Sequence, residues 1–167
     1  MEGDPEGYEL RFTEVSDGPH LKEWLMDNSI GRWFPMFNEM EIDDAVMRWV
    51  GFHKFDCSLT ALDPDNNPCG IVTLYLQPYK KLAHQAEFGI IVGGDHRGKG
   101  LGTMMLKNIM HLGKTKFNLE LLHLQVYDGN PAVSLYKRLG FREYGKQTHW
   151  IKEDNEYLAR IFMERFL

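Results

Sequence analysis

The feature that most constrains this sequence is a glycine-rich basic turn between an apolar run and an apolar-periodic segment. All three parts lie within Phe88–Lys107, which reads FGIIVGGDHRGKGLGTMMLK. The apolar run predicts a strand, and the period after the turn predicts a helix over Leu101–Lys116. A strand that enters a helix through such a turn directs backbone N–H groups and a helix N-terminus to one point. Because glycines allow close approach to the backbone, the turn predicts a binding site for a phosphate or pyrophosphate.

The length and charge of the chain limit what this site can belong to. A chain of 167 residues that is 43% hydrophobic has enough material for one packed core. We therefore expect a flexible N-terminus over residues 1–7 and a single domain over residues 8–167. The net charge of −5 argues against a nucleic-acid partner, and no apolar stretch is long enough to span a membrane. The acidic, polar first residues do not resemble a signal peptide, so a cytoplasmic location is expected.

Two features that could indicate other chemistry have simpler explanations. Cys57 and Cys69 flank a predicted turn and are too few for a disulfide framework, so we expect reduced packing residues. The turn itself, DPDNNP over residues 63–68, contains two aspartates. Because it lacks the further ligands that a calcium loop needs, no metal site is expected.

Alternation and helical spacing divide the rest of the chain into strands and helices. Strands are predicted over Tyr8–Val15, Cys57–Leu62, Cys69–Leu76, Ala83–Val92, Leu119–Val126, Arg142–Ile151 and Glu156–Phe166. Helices are predicted over His20–Met26, Glu41–Phe52 and Leu101–Lys116, with a fourth that begins at Asn130, a good N-cap, and ends at Gly140. This order predicts a mixed α/β domain on one sheet. The sequence does not determine the oligomeric state, and exposed strand edges near the C-terminus are compatible with a homodimer.

An aromatic-rich segment interrupts this pattern. The sequence NSIGRWFPMFN over residues 28–38 shows no regular period and contains Trp33, Phe34 and Phe37. Such a loop can line a pocket for a small-molecule substrate. The alternative is that the three rings simply close the core, and the sequence leaves both interpretations open.

Three anion-binding loops compete for the glycine turn. A nucleotide P-loop matches at Gly93, Gly98 and Lys99. Its next position should be a serine or threonine that binds magnesium, whereas this chain has Gly100. A dinucleotide fingerprint fails because Gly98, Gly100 and Gly102 alternate, which is not the G-x-G-x-x-G spacing.

The third alternative is the coenzyme A loop of the GNAT acetyltransferases, which the turn resembles. In that family an arginine or glutamine is followed, after two residues, by glycine, one residue, and glycine or alanine. Arg97, Gly100 and Gly102 match this pattern. The chain also resembles the family over HLQVYDGNPAVSLYKRLGF (His123–Phe141), and departs from it at Gly93–Asp95, where many members carry proline or a charged residue. The resemblance implies an acetyltransferase domain of α+β type. Its sheet would be single, mixed, mostly antiparallel and twisted, with about seven strands flanked by about four helices.

The resemblance also implies roles for individual residues. Tyr136 would be the general acid for the leaving thiolate and Glu87 the base for the amine, with His84 or a water chain as alternatives. A backbone N–H at or next to Val92 would donate to the thioester oxygen. Apart from the resemblance, we expect His96 to be a solvated neighbour of the turn rather than a catalyst. Coenzyme contacts are implied for Ile91, Val92, Arg97, Gly98, Lys99, Gly100, Leu101, Gly102, Thr103 and Asn130.

The activity implied by this resemblance is N-acetyl transfer. An acetyl group would pass from acetyl-CoA to a primary amine of a small molecule or peptide, by direct attack in a ternary complex. The alternative is a non-catalytic acyl-CoA-binding sensor on the same fold, which would keep the glycine turn but lose the acid and the base. Tyr136 and Glu87 are both present, which favours the enzyme.

Overall fold

One seven-stranded sheet organises the protein, which we describe over residues 4–167 from a computed structural model. The strands are β1 (Glu9–Phe12), β2 (Ser58–Leu62), β3 (Pro68–Leu76), β4 (Gln85–Val92), β5 (Leu121–Tyr127), β6 (Arg142–Glu153) and β7 (Glu156–Phe166). They lie in the order β1-β2-β3-β4-β5-β7-β6. Neighbouring strands are antiparallel except for β4 and β5, which are parallel. The predicted single, mixed, mostly antiparallel sheet is confirmed.

Within residues 4–167, five helices cover the two faces of the sheet. They are α1 (Gly18–Met26), α2 (Asn28–Gly31), α3 (Glu39–Gly51), α4 (Leu101–Lys116) and α5 (Ala132–Arg138). The first three share a buried cluster with Ile71 and Ile91, whereas α4 and α5 share a larger one with Val72 and Phe88. Successive side chains of a strand point to opposite faces, so β3 and β4 are buried on both sides.

The extra helix is α2, which forms inside the aromatic-rich segment that has no regular period. Asp27 accepts a hydrogen bond from the Ser29 backbone N–H at 3.0 Å, and this cap satisfies one donor of the short helix. The predicted strand Tyr8–Val15 is shorter than expected because Val15–Asp17 forms a 3₁₀ turn. The other predicted elements are present, with ends shifted by at most two residues.

The parallel strands β4 and β5 separate toward their carboxyl ends. They pair only where Gln85–Glu87 faces Leu121–His123, although β4 continues to Val92 and β5 to Tyr127. We call the resulting opening the β4–β5 gap. Because α4 follows β4 and α5 follows β5, both helices begin near this gap.

The N-terminus and the edge of the sheet concern the predictions of a flexible N-terminus and of a homodimer. Of the predicted flexible N-terminus, residues 1–3 lie outside the described residues, and residues 4–7 include a turn with Gly7 at φ 82°. Strand β6 forms one edge of the sheet. A homodimer through that edge stays a prediction, as does the single domain over residues 8–167. No helix within residues 4–167 has the length and apolar character needed to cross a membrane.

Asp17 is a buried carboxylate that ties α1 to the first two strands. Arg11 donates to both of its oxygens at 2.8 Å, and the Thr60 hydroxyl and the Glu14 backbone N–H add further hydrogen bonds. Burial alone would raise the pKa of Asp17, but these hydrogen bonds outweigh burial and hold the pKa below its ordinary value. The ionised carboxylate therefore contributes to stability.

Replacing Asp17 with alanine is expected to lower the free energy of unfolding by about 2–3 kcal/mol, because Arg11 and Thr60 lose their shared partner. This loss of stability is smaller than that expected for a fully buried ion pair, because the Arg11 side chain is 30% exposed to solvent. In the wild-type protein this contribution is present above the unfolded-state pKa and is lost as pH falls through the lower folded-state pKa. Urea denaturation from neutral to acidic pH measures both effects. Equal stability of the two proteins at neutral pH would contradict this account.

Candidate active site

The glycine turn folds so that its backbone faces open space. Gly98 and Gly100 have φ values of 74° and 81°, in the left-handed region that glycine adopts without steric cost. A Cβ added at either position would meet no heavy atom within 4 Å. Gly100 directly precedes α4, and its position leaves the helix without a side-chain cap. The first N–H groups of α4 and the positive end of its dipole therefore remain for a ligand.

A cavity of about 390 Å³ lies in front of this turn, and we call it the loop cavity. Its wall combines the turn, the start of α4, the separated ends of β4 and β5, and α5. Lys99 is exposed and does not line it. The other residues with implied coenzyme contacts all do: Ile91, Val92, Arg97, Gly98, Gly100, Leu101, Gly102, Thr103 and Asn130.

The end of β4 presents backbone N–H donors to the loop cavity. The Gly93 N–H donates to the Cys69 carbonyl of β3 at 2.8 Å, and residues of an antiparallel strand pair alternately with one neighbour and the other. Val92 and Ile90 therefore direct their N–H groups toward β5, beyond the point where pairing between β4 and β5 ends. Ile91 pairs with β3 instead, and its side chain is buried.

A second cavity, of about 440 Å³, opens on the face of the sheet that α1, α2 and α3 cover, and we call it the aromatic cavity. Gly89 is required in its wall, since an added Cβ would lie 2.8 Å from the Trp49 ring and 2.9 Å from the Tyr75 hydroxyl. The wall includes the rings of Trp33, Phe34, Trp49, Tyr75, Tyr127 and Trp150.

The two cavities meet at the β4–β5 gap. The residues that line both are Trp33, Phe34, Phe88, Gly89, Ile91 and Gln125. Tyr136 lines the loop cavity alone, and Glu87 lines the aromatic cavity alone. The two cavities therefore share a wall, with a phenol on one side of it and a carboxylate on the other.

Tyr136 of α5 is buried in the wall of the loop cavity. Its ring packs at steep angles against Phe88 and Phe141, with centroid distances of 5.9 and 6.2 Å. These contacts fix the ring. Burial raises the pKa of Tyr136, so the phenol carries its proton at neutral pH and is a donor.

Glu87 of β4 is half-buried in the aromatic cavity, next to its register partner Tyr75 of β3. Burial raises the pKa of the Glu87 carboxyl, and the charge of Arg160 offsets part of this effect. Burial, together with the nearby Glu87 charge, also raises the pKa of Tyr75. A carboxylate whose pKa lies closer to neutrality is a better proton acceptor than an exposed one.

Two residues with proposed substrate or catalytic roles lie away from both cavities. Phe37 lines neither cavity, and its side chain is 83% exposed. Its backbone N–H donates to Glu41 at the start of α3, and this turn leaves the ring outside. His84 is also exposed and lines neither cavity. Asn130 lies one residue before Pro131, the N-cap residue of α5, and so one position earlier than predicted. Its side-chain oxygen still accepts from the Ala132 N–H at 2.9 Å.

The prediction that His96 is a solvated neighbour of the turn is wrong, because its side chain is mostly buried. Its Nδ1 atom lies 2.8 Å from the Tyr8 hydroxyl, and its Nε2 atom lies 3.9 Å from a carboxylate oxygen of Asp63. His96 also lines the loop cavity. The Tyr8 contact joins residues 88 positions apart, so local sequence patterns could not reveal it.

Most residues that line the aromatic cavity were not predicted from the sequence. Trp49 belongs to the apolar stripe of a predicted helix, while Tyr75 and Trp150 belong to predicted strands, and all three fit a packing role equally well. The useful signal is the register between β3 and β4, which places Tyr75 opposite Glu87 on the same face. That register becomes visible only in the folded structure.

Comparison with known proteins identifies the family. Residues 18–141 match the acetyltransferase (GNAT) family. The spermidine N(1)-acetyltransferase of Escherichia coli K12 is 34% identical over 158 residues, covering 92% of this chain and 83% of that relative. The L-amino acid N-acetyltransferase AaaT of the same strain is 24% identical over 102 residues, covering 60% of this chain. The match spans 63% of AaaT, slightly less than two thirds of its length.

Solved structures share the fold. A Salmonella typhimurium protein solved with its cofactor acetyl-CoA aligns with a TM-score of 0.80 at 16% identity, over 97% of this chain and 95% of that chain. An N-acetyltransferase from Staphylococcus aureus Mu50 aligns with a TM-score of 0.82 at 18% identity, over 95% and 98% of the two chains. The chain therefore belongs to the GNAT acetyltransferase family. It is an N-acetyltransferase, and this family uses acetyl-CoA.

Proposed function

We propose that this enzyme transfers an acetyl group from acetyl-CoA to a primary amine of a small molecule or peptide by direct attack in a ternary complex. The observation that carries the proposal is the meeting of the loop cavity and the aromatic cavity at the β4–β5 gap. The loop cavity would hold the coenzyme, and the aromatic cavity would hold the amine. The amine nitrogen and the thioester carbon would then meet in the gap, which removes most of the entropic cost of their encounter.

The glycine turn is the part of the loop cavity suited to the coenzyme's pyrophosphate. The uncapped N–H groups at the start of α4 and the open backbone at Gly98 and Gly100 favour an anion. Arg97 lines the same cavity and adds positive charge. Lys99 is exposed beside the turn, where its charge attracts the coenzyme over a longer range.

The Val92 N–H is the donor that we assign to the thioester oxygen. It points into the gap, where no strand of the sheet pairs with it. A donor at this position would stabilise the negative charge that develops on the oxygen during attack. Loss of one such donor typically lowers the rate about 100-fold or more.

Two side chains would move the protons of the reaction. Glu87 accepts a proton from the ammonium form of the acceptor, and the neutral nitrogen attacks the thioester carbon. A C–N bond forms, the C–S bond breaks, and Tyr136 donates its proton to the departing thiolate. The nitrogen then loses its second proton to solvent, from which the Tyr136 phenolate regains a proton, and Glu87 releases the first proton to solvent. The products are the amide and coenzyme A thiol, and Glu87 and Tyr136 return to their starting forms with the net release of one proton to solvent.

Direct attack is favoured because neither cysteine is suited to form an acyl-enzyme. Cys57 and Cys69 are buried and carry free thiols, in agreement with their predicted packing role. Burial raises the pKa of Cys57 to about 11 and that of Cys69 to about 12. At neutral pH both thiols therefore stay protonated, and only a thiolate is an effective nucleophile.

Thiol release from acetyl-CoA in the presence of a panel of primary amines tests this function. The names of the relatives, a spermidine and an L-amino acid N-acetyltransferase, support an amine as the acceptor. Amine-dependent release is the expected result. Tight binding of coenzyme A without release for any amine would favour the non-catalytic sensor instead.

Replacing Tyr8 with phenylalanine is expected to weaken acetyl-CoA binding about threefold to tenfold, because His96 loses a hydrogen bond that holds it in the wall of the loop cavity. The turnover number should change less than the KM for acetyl-CoA, since Tyr8 lies outside the aromatic cavity. Steady-state kinetics at saturating amine measure this split. Tyr79→Phe, an exposed tyrosine on a turn, is the matched control, and an unchanged KM in Tyr8→Phe would refute the role of this contact.

A further inference from the structure

We propose that the acceptor is a primary amine whose remaining body is apolar and uncharged, with arylalkylamines as the fitting class. This inference rests on the proposed function, because it places the amine in the aromatic cavity. It concerns which amines enter, whereas the proposed function concerns the reaction itself.

The walls of the aromatic cavity suit a flat apolar body. The Tyr127 ring packs edge-on against Trp33 and Trp150, with centroid distances of 6.2 and 4.9 Å. Phe34 packs in the same way against Trp49 at 6.5 Å. Rings held by one another in this geometry form a preorganised surface, which favours burial of another ring or alkyl chain.

The charges in this cavity suit a single ammonium group. Among the residues within 4–167 that line it, Glu87 is the sole carboxylate. The acids of the neighbouring helix α3 have other partners, since Glu39 and Asp43 both lie 2.8 Å from Lys22. The second and third ammonium groups of a polyamine would therefore enter an apolar space without a counter-charge, which is unfavourable.

The charges in the aromatic cavity also disfavour an amino acid as the acceptor, because its carboxylate needs a cationic partner. Arg48 is the sole cation among the described lining residues, but it is largely exposed and lies 2.9 Å from Asp44. Arg160 lies nearby, where it donates to Gln147 and Gln125. Its guanidinium also stacks over the Trp150 ring at 4.9 Å. Arg160 is therefore held by two glutamines and lines neither cavity. Arg48 contacts Asp44 through one nitrogen at an exposed position, where solvent screens its attraction for a carboxylate.

A matched set of acceptors tests the inference: phenethylamine, L-phenylalanine and spermidine. L-phenylalanine adds only a carboxylate to phenethylamine, and spermidine adds further cations. With saturating acetyl-CoA, we expect kcat/KM for phenethylamine to exceed both other values at least about tenfold. A higher value for spermidine or L-phenylalanine would overturn the inference while leaving the proposed function intact. An absence of turnover with every amine would overturn both.

A charge reversal at the cavity rim gives a second readout. Arg48→Glu removes a positive charge that repels polyamines and adds a negative charge that attracts them. We expect the ratio of kcat/KM for spermidine to that for phenethylamine to rise about fivefold. Lys54→Glu is the matched control, because Lys54 is exposed just after α3 and lines neither cavity. An unchanged ratio in Arg48→Glu, or an equal rise in Lys54→Glu, would contradict the assignment.

Discussion

Replacing Glu87 with glutamine is expected to lower kcat/KM for the amine about 100-fold or more near neutral pH. The amide cannot accept the proton of the ammonium group, and no other carboxylate among the described lining residues can replace it. Because burial raises the pKa of Glu87, the wild-type rate should fall as pH drops below that raised value. The variant should lose this acidic limb, so the pH profile of kcat/KM is the measurement to make.

The stability of the same variant separates a catalytic loss from a folding defect. The pKa of the Glu87 carboxyl is higher in the folded than in the unfolded protein. Such a group stabilises the folded state at pH values below its unfolded-state pKa, and this stabilisation is lost as the pH rises through its folded-state pKa. Near neutral pH the Glu87 charge therefore opposes folding, and Glu87→Gln should be at least as stable as wild type. Glu120→Gln, at an exposed position, is the matched control. Wild-type kinetics in Glu87→Gln would remove Glu87 from the mechanism.

Replacing Tyr136 with phenylalanine is expected to lower kcat about 100-fold, because the thiolate would leave without a positioned proton donor. The phenylalanine ring retains the contacts with Phe88 and Phe141, so Tm and the KM for acetyl-CoA should change little. Because burial raises the pKa of Tyr136, the wild-type phenol should stay protonated through the alkaline range that can be assayed, so kcat measured across that range should show the loss at every pH. Tyr144→Phe removes a hydroxyl from a half-exposed tyrosine on β6 and is the control. If the two variants show the same kcat and pH profile, Tyr136 is a packing residue.

The loop cavity, which we propose for the coenzyme, was predictable because most of its parts are neighbours in the sequence. Six of its lining residues fall within Arg97–Thr103, and the strand and helix around that run follow from apolar patterning alone. The structure adds what patterning cannot give. One example is the direction of the Val92 N–H, which depends on how β4 pairs with β3 and where its pairing with β5 ends.

The aromatic cavity, which we propose for the acceptor, was not predictable because it is assembled from distant segments. Trp49, Tyr75 and Trp150 come from α3, β3 and β6, and their meeting depends on strand register and helix position. Within the aromatic-rich segment, Trp33 and Phe34 reach the cavities, but Phe37 is outside because Glu41 holds its backbone at the start of α3. A short helix such as α2 covers barely one turn, so it leaves no period that a sequence pattern could show.

The central claim, that two substrates meet in the β4–β5 gap, is tested most directly by initial-velocity kinetics. Acetyl-CoA and an accepted amine are varied together, and reciprocal rate is plotted against reciprocal concentration. Direct attack in a ternary complex predicts lines that intersect. Parallel lines would show that the acetyl group first moves to the protein and that coenzyme A leaves before the amine reacts, which contradicts this account.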